Sequence, residues 1–143
     1  MAFIKIWVHT VFSTKNRHPY LAGEIKTKVI AHIKENAKTK GVFIDTIGGY
    51  HEHLHCLISL GSDQSIDKVM QLIKGECSNW INKNNITKLK FEWGDEYFAA
   101  SVSESMVDTV RKYIQNQEAH HAKKTFLEEY NEFISKYKFA ELG

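Results

Sequence analysis

Three histidines alternate in the stretch Gly49-Tyr50-His51-Glu52-His53-Leu54-His55-Cys56-Leu57-Ile58. In an extended strand, residues two apart share a face, so His53 and His55 project together while Leu54, Cys56 and Ile58 turn to the opposite side. Their Cβ atoms then lie about 7 Å apart, close enough for both imidazoles to converge on one ion. They supply half a site. A metal needs at least one further protein ligand, and a catalytic metal also keeps a position open for substrate. The plain alternative is a pair of hydrogen-bonded histidines on a sheet surface. Glu52 could orient a histidine as an outer acceptor, but strict strand alternation points it away from His53.

A second group of chemistry-bearing residues lies in Arg111-Lys112-Tyr113-Ile114-Gln115-Asn116-Gln117. The apolar positions Met106, Val107, Val110 and Ile114 recur at helical spacing and predict a helix over about 103–119, opened by Ser103. Tyr113 and Gln117 are then one turn apart on the same face. Tyr113 offers a phenol able to attack phosphorus, and Gln117 offers a neutral carbonyl oxygen as a ligand. Taken singly, such a tyrosine more often packs its ring and leaves its hydroxyl in water. His121 follows Gln117 by four residues and would reach the same edge if the helix continues; otherwise His120 and His121 are surface histidines. The sequence offers no obvious carboxylate base for the histidine motif, which ranks a small metal-dependent hydrolase using His53 and His55 last among the readings.

These residues need a framework to hold them. At 143 residues the chain should bury roughly two-thirds of its unfolded surface without disulfides or a structural metal, and nothing marks a linker, so one domain over 1–143 is expected. Periodicity predicts strands at 3–13, 42–49, 53–60 and 89–102, the last bent at Gly94, and amphipathic helices at 22–40 and from Ser65 through Ile81. Thr125-Phe126-Leu127-Glu128 fits a capping box for a final helix over about 125–138. The order is βαββαβ followed by two helices. It implies an α+β fold, a ferredoxin-like (split βαβ) antiparallel sheet with helices on one face, the other face being open. Cys56 and Cys77 do not form a CxxC pair and read as reduced core thiols, and Trp7, Trp80 and Trp93 as core residues. No apolar run reaches the length of a membrane span and the N-terminus lacks a signal-peptide core, so a cytoplasmic protein with no membrane partner is expected.

With both motifs and the strand order in place, the sequence resembles the HUH-superfamily single-tyrosine transposases of the insertion-sequence-200 type, including their REP-associated relatives. The resemblance rests on His53-Leu54-His55 and Tyr113-Ile114-Gln115-Asn116-Gln117. It extends to Ser13-Thr14-Lys15-Asn16-Arg17, to the Gly-Gly-Tyr-His-Glu lead into the histidines, and to the run Asn116 to His121. It implies that His53, His55 and Gln117 hold a divalent metal, Mg²⁺ or Mn²⁺, and that Tyr113 attacks a phosphate of single-stranded DNA. The product is a 5′-phosphotyrosine, which the 3′-hydroxyl of a second strand reverses. It further implies recognition of hairpins at element ends and a homodimer with shared active sites, the tyrosine helix of one subunit completing the site of the other. A hinge at Gly94 or just after the fourth strand would permit that exchange.

Candidate DNA contacts are Lys15 and Arg17 after the first strand, Lys83, Lys88 and Lys90 near the end of the second helix, and Arg111 and Lys112 beside Tyr113. His51 could join them, and an exposed Trp93 could stack on a base. Lysines 26, 28, 34, 38, 123 and 124 read as solvated helix faces. Two other readings compete. An HUH replication-initiator or relaxase-type nickase would carry its tyrosine ahead of the histidine motif and a third histidine in place of Gln117. A non-enzymatic nucleic-acid-binding module on the same sheet would have no use for Tyr113. The formal net charge of +2 looks neutral to DNA but averages two unlike parts: residues 1–90 carry 13 Lys and Arg against 7 Asp and Glu, and residues 91–143 carry 6 against 10. The sheet-bearing part is therefore the basic one.

Overall fold

The computed structural model describes residues 2–137. The chain forms β1 (Trp7–Ser13), α1 (Glu24–Thr39), β2 (Phe43–Gly49), β3 (His53–Ser59), α2 (Ile66–Lys83), β4 (Phe98–Val102), α3 (Val107–Gln115), α4 (Gln117–His121) and α5 (Phe126–Tyr137), with single 3₁₀ turns at Lys15–Arg17 and Glu104–Met106. The four strands make one antiparallel sheet in the order β2-β3-β1-β4. This is the expected α+β, split-βαβ arrangement.

One face of the sheet carries the main core. Leu54, Cys56 and Ile58 of β3 and Phe12 of β1 pack on Val29 and Ile33 of α1 and on Val69, Met70, Ile73, Cys77 and Ile81 of α2. Both cysteines are free and buried, and burial pushes the Cys56 thiol up to about 12. Trp7 and Trp93 are buried as expected, while half-buried Trp80 stacks on His32 with ring centroids 3.9 Å apart. Two local signals act as anticipated. The Ser65 hydroxyl caps α2 by accepting the Lys68 N–H at 3.2 Å, and the Thr125 hydroxyl caps α5 by accepting the Glu128 N–H at 3.2 Å. Residue 138 of the expected last helix lies outside the described residues.

Four expectations change. The second face of the sheet is not open. The apolar stripe of α3 had to be buried somewhere, and Val107 and Ile114 pack against Trp7 and Leu57 on that face. β1 begins at Trp7; Phe3, Ile4 and Ile6 before it are exposed, and the Ile6 carbonyl accepts the Leu60 N–H at 2.8 Å. β4 is confined to Phe98–Val102. Phe91 and Trp93 are core residues whose stretch meets the end of β1 at one isolated bridge, Trp93 opposite Thr14, with the Lys15 N–H donating to the Glu92 carbonyl at 3.0 Å and the Gly94 N–H to the Ser13 carbonyl at 2.8 Å, while Asn82 accepts the Phe91 N–H at 2.8 Å and donates to its carbonyl at 2.9 Å. The helix expected over 103–119 is divided. Ser103 opens a 3₁₀ turn without capping it, and Asn116, at φ −101° and ψ 23°, separates α3 from α4.

The fit of α3 on the sheet depends on Gly48 of β2. A Cβ there would stand 2.5 Å from the carbonyl oxygen of Ile114, so any side chain must push the helix away. Gly48→Ala is expected to lower stability by about 1–3 kcal/mol, read as a drop in the urea midpoint. An unchanged midpoint would contradict the close approach of α3 to β2. Among the described residues no helix is long and apolar enough to cross a membrane.

Candidate active site

Strand alternation places the His53 and His55 side chains beneath α3, α4 and α5, with neither exposed. β1 adds His9 beside them, and its Nε2 lies 2.9 Å from His55 Nδ1. α3 and α4 bring Tyr113 and Gln117, still one turn apart, with the Gln117 Nε2 donating to the Tyr113 carbonyl at 3.4 Å. Gln117 is buried and its Oε1 lies 3.1 Å from His53 Nε2. His53, His55, Tyr113 and Gln117 therefore meet within one chain, and the Tyr113 and His55 ring centroids are 5.5 Å apart.

At the centre stands a residue that sequence reasoning missed, Glu129 of α5. Its Oε1 lies 3.0 Å from His55 Nε2 and 3.2 Å from His53 Nε2, and its Oε2 accepts the hydrogen bond donated by the Tyr113 hydroxyl. A signal existed. Phe126, Glu129, Tyr130 and Phe133 sit at i, i+3, i+4 and i+7, so Glu129 is a carboxylate on the buried stripe of its helix. His120 and His121 also turn inward. His121 Nε2 lies 3.1 Å from Gln117 Oε1, and His120 Nε2 lies 3.0 Å from Glu129 Oε2.

Glu52 is a correction. Its carboxylate faces His53, with Oε1 2.7 Å from Nδ1, because it belongs to the bend before β3, where strand alternation does not apply. Arg111 is another. Its Nε and Nη2 donate to Asp45 at 2.8 and 3.0 Å, and Nη1 donates to Asp108 at 2.5 Å. Its guanidinium is thus bound to β2 rather than presented beside Tyr113. Lys112 is exposed, as are Lys83, Lys88 and Lys90. Lys15 is exposed and pairs with Glu92 at 3.4 Å, and the Arg17 guanidinium lies 5.4 Å from the ring centres of both Phe126 and Tyr130, against α5. A cleft of about 420 Å³, lined in part by Ser101, Ser103, Thr109 and Lys136, leads to Tyr113 and Glu129.

The electrostatics follow from burial and charge. Burial opposes a charge on His53, but hydrogen bonds to Glu129 and Glu52 outweigh it and raise its pKa. Burial holds His55 down to about 4, helped by the charge of His53, and holds His9 down to about 3, helped by His55. Tyr113 is raised, first by burial and then by the Glu129 carboxylate it bonds to. Glu129 resists its own burial and stays ionised well below the usual carboxylate range, because His53, His55 and Tyr113 hydrogen-bond to it.

His9 and His55 make the metal-free fold acid-sensitive. Between pH 6.5 and about 4 the unfolded chain binds protons that these two buried rings refuse, so folding stability falls as pH falls through that window. The expected loss is on the order of 3 kcal/mol per ring at most, and less for two rings in contact. Thermal unfolding in a chelator at pH 7 and pH 5 reads it, and His9→Gln should flatten the dependence.

The donor set fits a cation. His53 Nδ1 faces the Glu52 carboxylate and its Nε2 faces Gln117 Oε1 and Glu129 Oε1, so loss of the Nε2 proton would free that nitrogen for an ion while Glu52 keeps its hold on Nδ1. Ligand atoms 3.0–3.2 Å apart have the separation of adjacent ligands around an ion bound at about 2.1 Å. His53, His55 and Glu129 bring their ligand atoms within 4.8 Å of one another.

Comparison with known proteins adds an independent line. Residues 2–117 match the sequence family described as "Transposase IS200 like". The chain is 24% identical over 114 residues to the ISDra2 transposase TnpA of Deinococcus radiodurans, a match covering 76% of this chain and 81% of that protein. Its fold is similar to the crystal structure of a transposase from D. radiodurans R1, with TM-score 0.66 and 21% identity over 81% of this chain and 93% of the other. It is also similar to a REP-associated tyrosine transposase bound to a REP hairpin, with TM-score 0.64 and 17% identity over 85% and 72% of the two chains. The family match ends at Gln117, before His120, His121 and Glu129.

Proposed function

The chain belongs to the IS200-like transposase family, and from that premise we propose that it cuts and rejoins single-stranded DNA through Tyr113, recognising hairpins as element ends. The observation that carries this reading is the meeting of the Tyr113 hydroxyl with the His53 and His55 imidazoles around one carboxylate. Glu129 accepts the phenol's hydrogen bond and so orients its oxygen towards a phosphate entering by the cleft. Attack forms a bond from the Tyr113 oxygen to phosphorus and breaks the bond from phosphorus to the 3′-oxygen. The phenol loses a proton and the departing 3′-oxygen gains one. Because one phosphodiester replaces another, the step needs no nucleotide triphosphate, and a second strand's 3′-hydroxyl can reverse it.

His53, His55 and Gln117 would hold a divalent ion, Mg²⁺ or Mn²⁺, with Glu129 completing the set. When bound, such an ion polarises the scissile phosphate and neutralises charge that develops on it. Two imidazoles favour Mn²⁺ over Mg²⁺. Lys15, Lys88, Lys90 and Lys112 are exposed and suited to backbone phosphates. Arg17 is exposed as well. Arg111 serves instead to tie α3 to β2. Action on cellular DNA implies a cytoplasmic setting.

A hairpin-binding module without catalysis is disfavoured by the interior. Burying His53, His55 and Glu129 together costs stability that a binding surface has no reason to spend. The nickase reading is disfavoured by a tyrosine that follows the histidine motif in the chain, paired with Gln117 rather than a third histidine. Because Tyr113 lies beside its own chain's histidines, the structure supports a site completed within one subunit, in place of the shared sites of a homodimer. Mixing His55→Ala chains with Tyr113→Phe chains separates the two. Sites confined to single chains give no cleavage of a hairpin-bearing single strand in Mn²⁺, whereas recovered cleavage would establish exchange between subunits.

A further inference from the structure

The two oxygens of Glu129 face two different groups of donors. Oε1 faces His53 and His55, and Oε2 faces His120, His121 and Tyr113. We propose that His120, His121 and Glu129 hold a second transition-metal ion, bridged through Glu129 to the position that His53, His55 and Gln117 surround.

Two observations on the Oε2 side carry the inference. The ligand atoms of His120, His121 and Glu129 all lie within 4.8 Å of one another, with His120 Nε2 at 3.0 Å and His121 Nε2 at 3.5 Å from Glu129 Oε2, His121 Nε2 standing between that oxygen and Gln117 Oε1, 3.1 Å away. His120 Nε2 is also buried without a hydrogen-bond partner, although that carboxylate oxygen is so close. An imidazole N–H beside a carboxylate would align with it. A nitrogen at this distance and out of hydrogen-bond alignment is placed as a ligand sharing an ion with the oxygen.

Donor chemistry sets the kind of ion. Two imidazoles and one carboxylate oxygen suit Mn²⁺ or Zn²⁺, and suit poorly Mg²⁺, which prefers oxygen ligands and keeps its water. A carboxylate with one oxygen in each group is the bridge used where two cations share a phosphoryl-transfer site. The second position adjoins the Tyr113 hydroxyl through Glu129 Oε2, so its ion would stabilise the phenolate that Tyr113 must become. The residues that build it come after Gln117, where the family match ends.

The inference rests on the reading of His53 and His55 as ligands, and counting ions tests the two separately. Protein stripped with a chelator is dialysed against Mn²⁺ and the bound metal is counted per folded chain. Two ions are expected for the unaltered protein and one for His120→Ala, with His120→Asn as a second variant should the alanine protein fail to fold. The unaltered protein with Mn²⁺ should also give the electron paramagnetic resonance spectrum of an exchange-coupled pair, its hyperfine lines at half the spacing of an isolated ion. One ion per unaltered chain, lost in His55→Ala and retained in His120→Ala, overturns the second position and leaves the first. Two ions that persist in both His120 variants overturn it as well, and no bound ion overturns both.

Discussion

Tyr113→Phe is expected to abolish DNA cleavage, by about 10⁴-fold or more, while leaving hairpin binding within about twofold of the unaltered protein. The substitution removes one oxygen. That oxygen is the proposed nucleophile, and no neighbouring group can replace it, since His55 and His120 present ring edges or faces to Tyr113 at centroid distances of 5.5 and 5.1 Å. The ring itself keeps its packing. Glu129 loses one donor but retains His53, His55 and His120 around it. The stability cost should therefore stay near 1 kcal/mol, that of one hydrogen bond. Single-turnover cleavage of a hairpin-bearing single strand, with binding measured separately by fluorescence anisotropy, reads both halves. Equal loss of binding and cleavage would mean that Tyr113 positions DNA rather than attacking it.

His55→Ala is expected to be the more damaging change to the molecule as a whole. His55 is fully buried, and its two nitrogens reach His9 at 2.9 Å and Glu129 at 3.0 Å. Truncation leaves a cavity beside two polar groups that lose a partner, a cost of about 2–4 kcal/mol without metal. Activity should fall by at least about 10³-fold. The more specific readout is linkage. Mn²⁺ at 100 times its dissociation constant should stabilise the unaltered protein by about 2.7 kcal/mol, and that increment should shrink sharply in His55→Ala. An undiminished increment would place the bound ion elsewhere.

Much of the framework was legible because it depends on local patterns. The two histidines are separated by a single residue in a strand whose other face is wholly apolar, and the 2.0-residue period leaves no freedom in where they point. Tyr113 and Gln117 could be paired because one helical turn separates them, and the break at Asn116 left that relation intact. Glu129 belongs to another order of information. It meets His55 across 74 residues of chain, and only the return of α5 over the sheet brings it there. The supposed open face had the same origin: a sequence pattern shows that α3 has an apolar stripe, but not which surface will bury it. Glu52 and Arg111 went astray for a local reason. Alternation and helical proximity were extended to a bend, where the first does not hold, and to a side chain whose position is set by Asp45 on a different element.

The central claim is that Tyr113 forms a covalent bond to DNA. Its most direct measurement is incubation of the protein with Mn²⁺ and a single strand carrying the flanking hairpins, followed by denaturing electrophoresis and mass spectrometry of the protein–DNA adduct. A 5′-phosphotyrosine on the peptide containing Tyr113, absent in chelator, is the expected result. Cleavage with no adduct, or an adduct on a different residue of the folded protein, would contradict the claim.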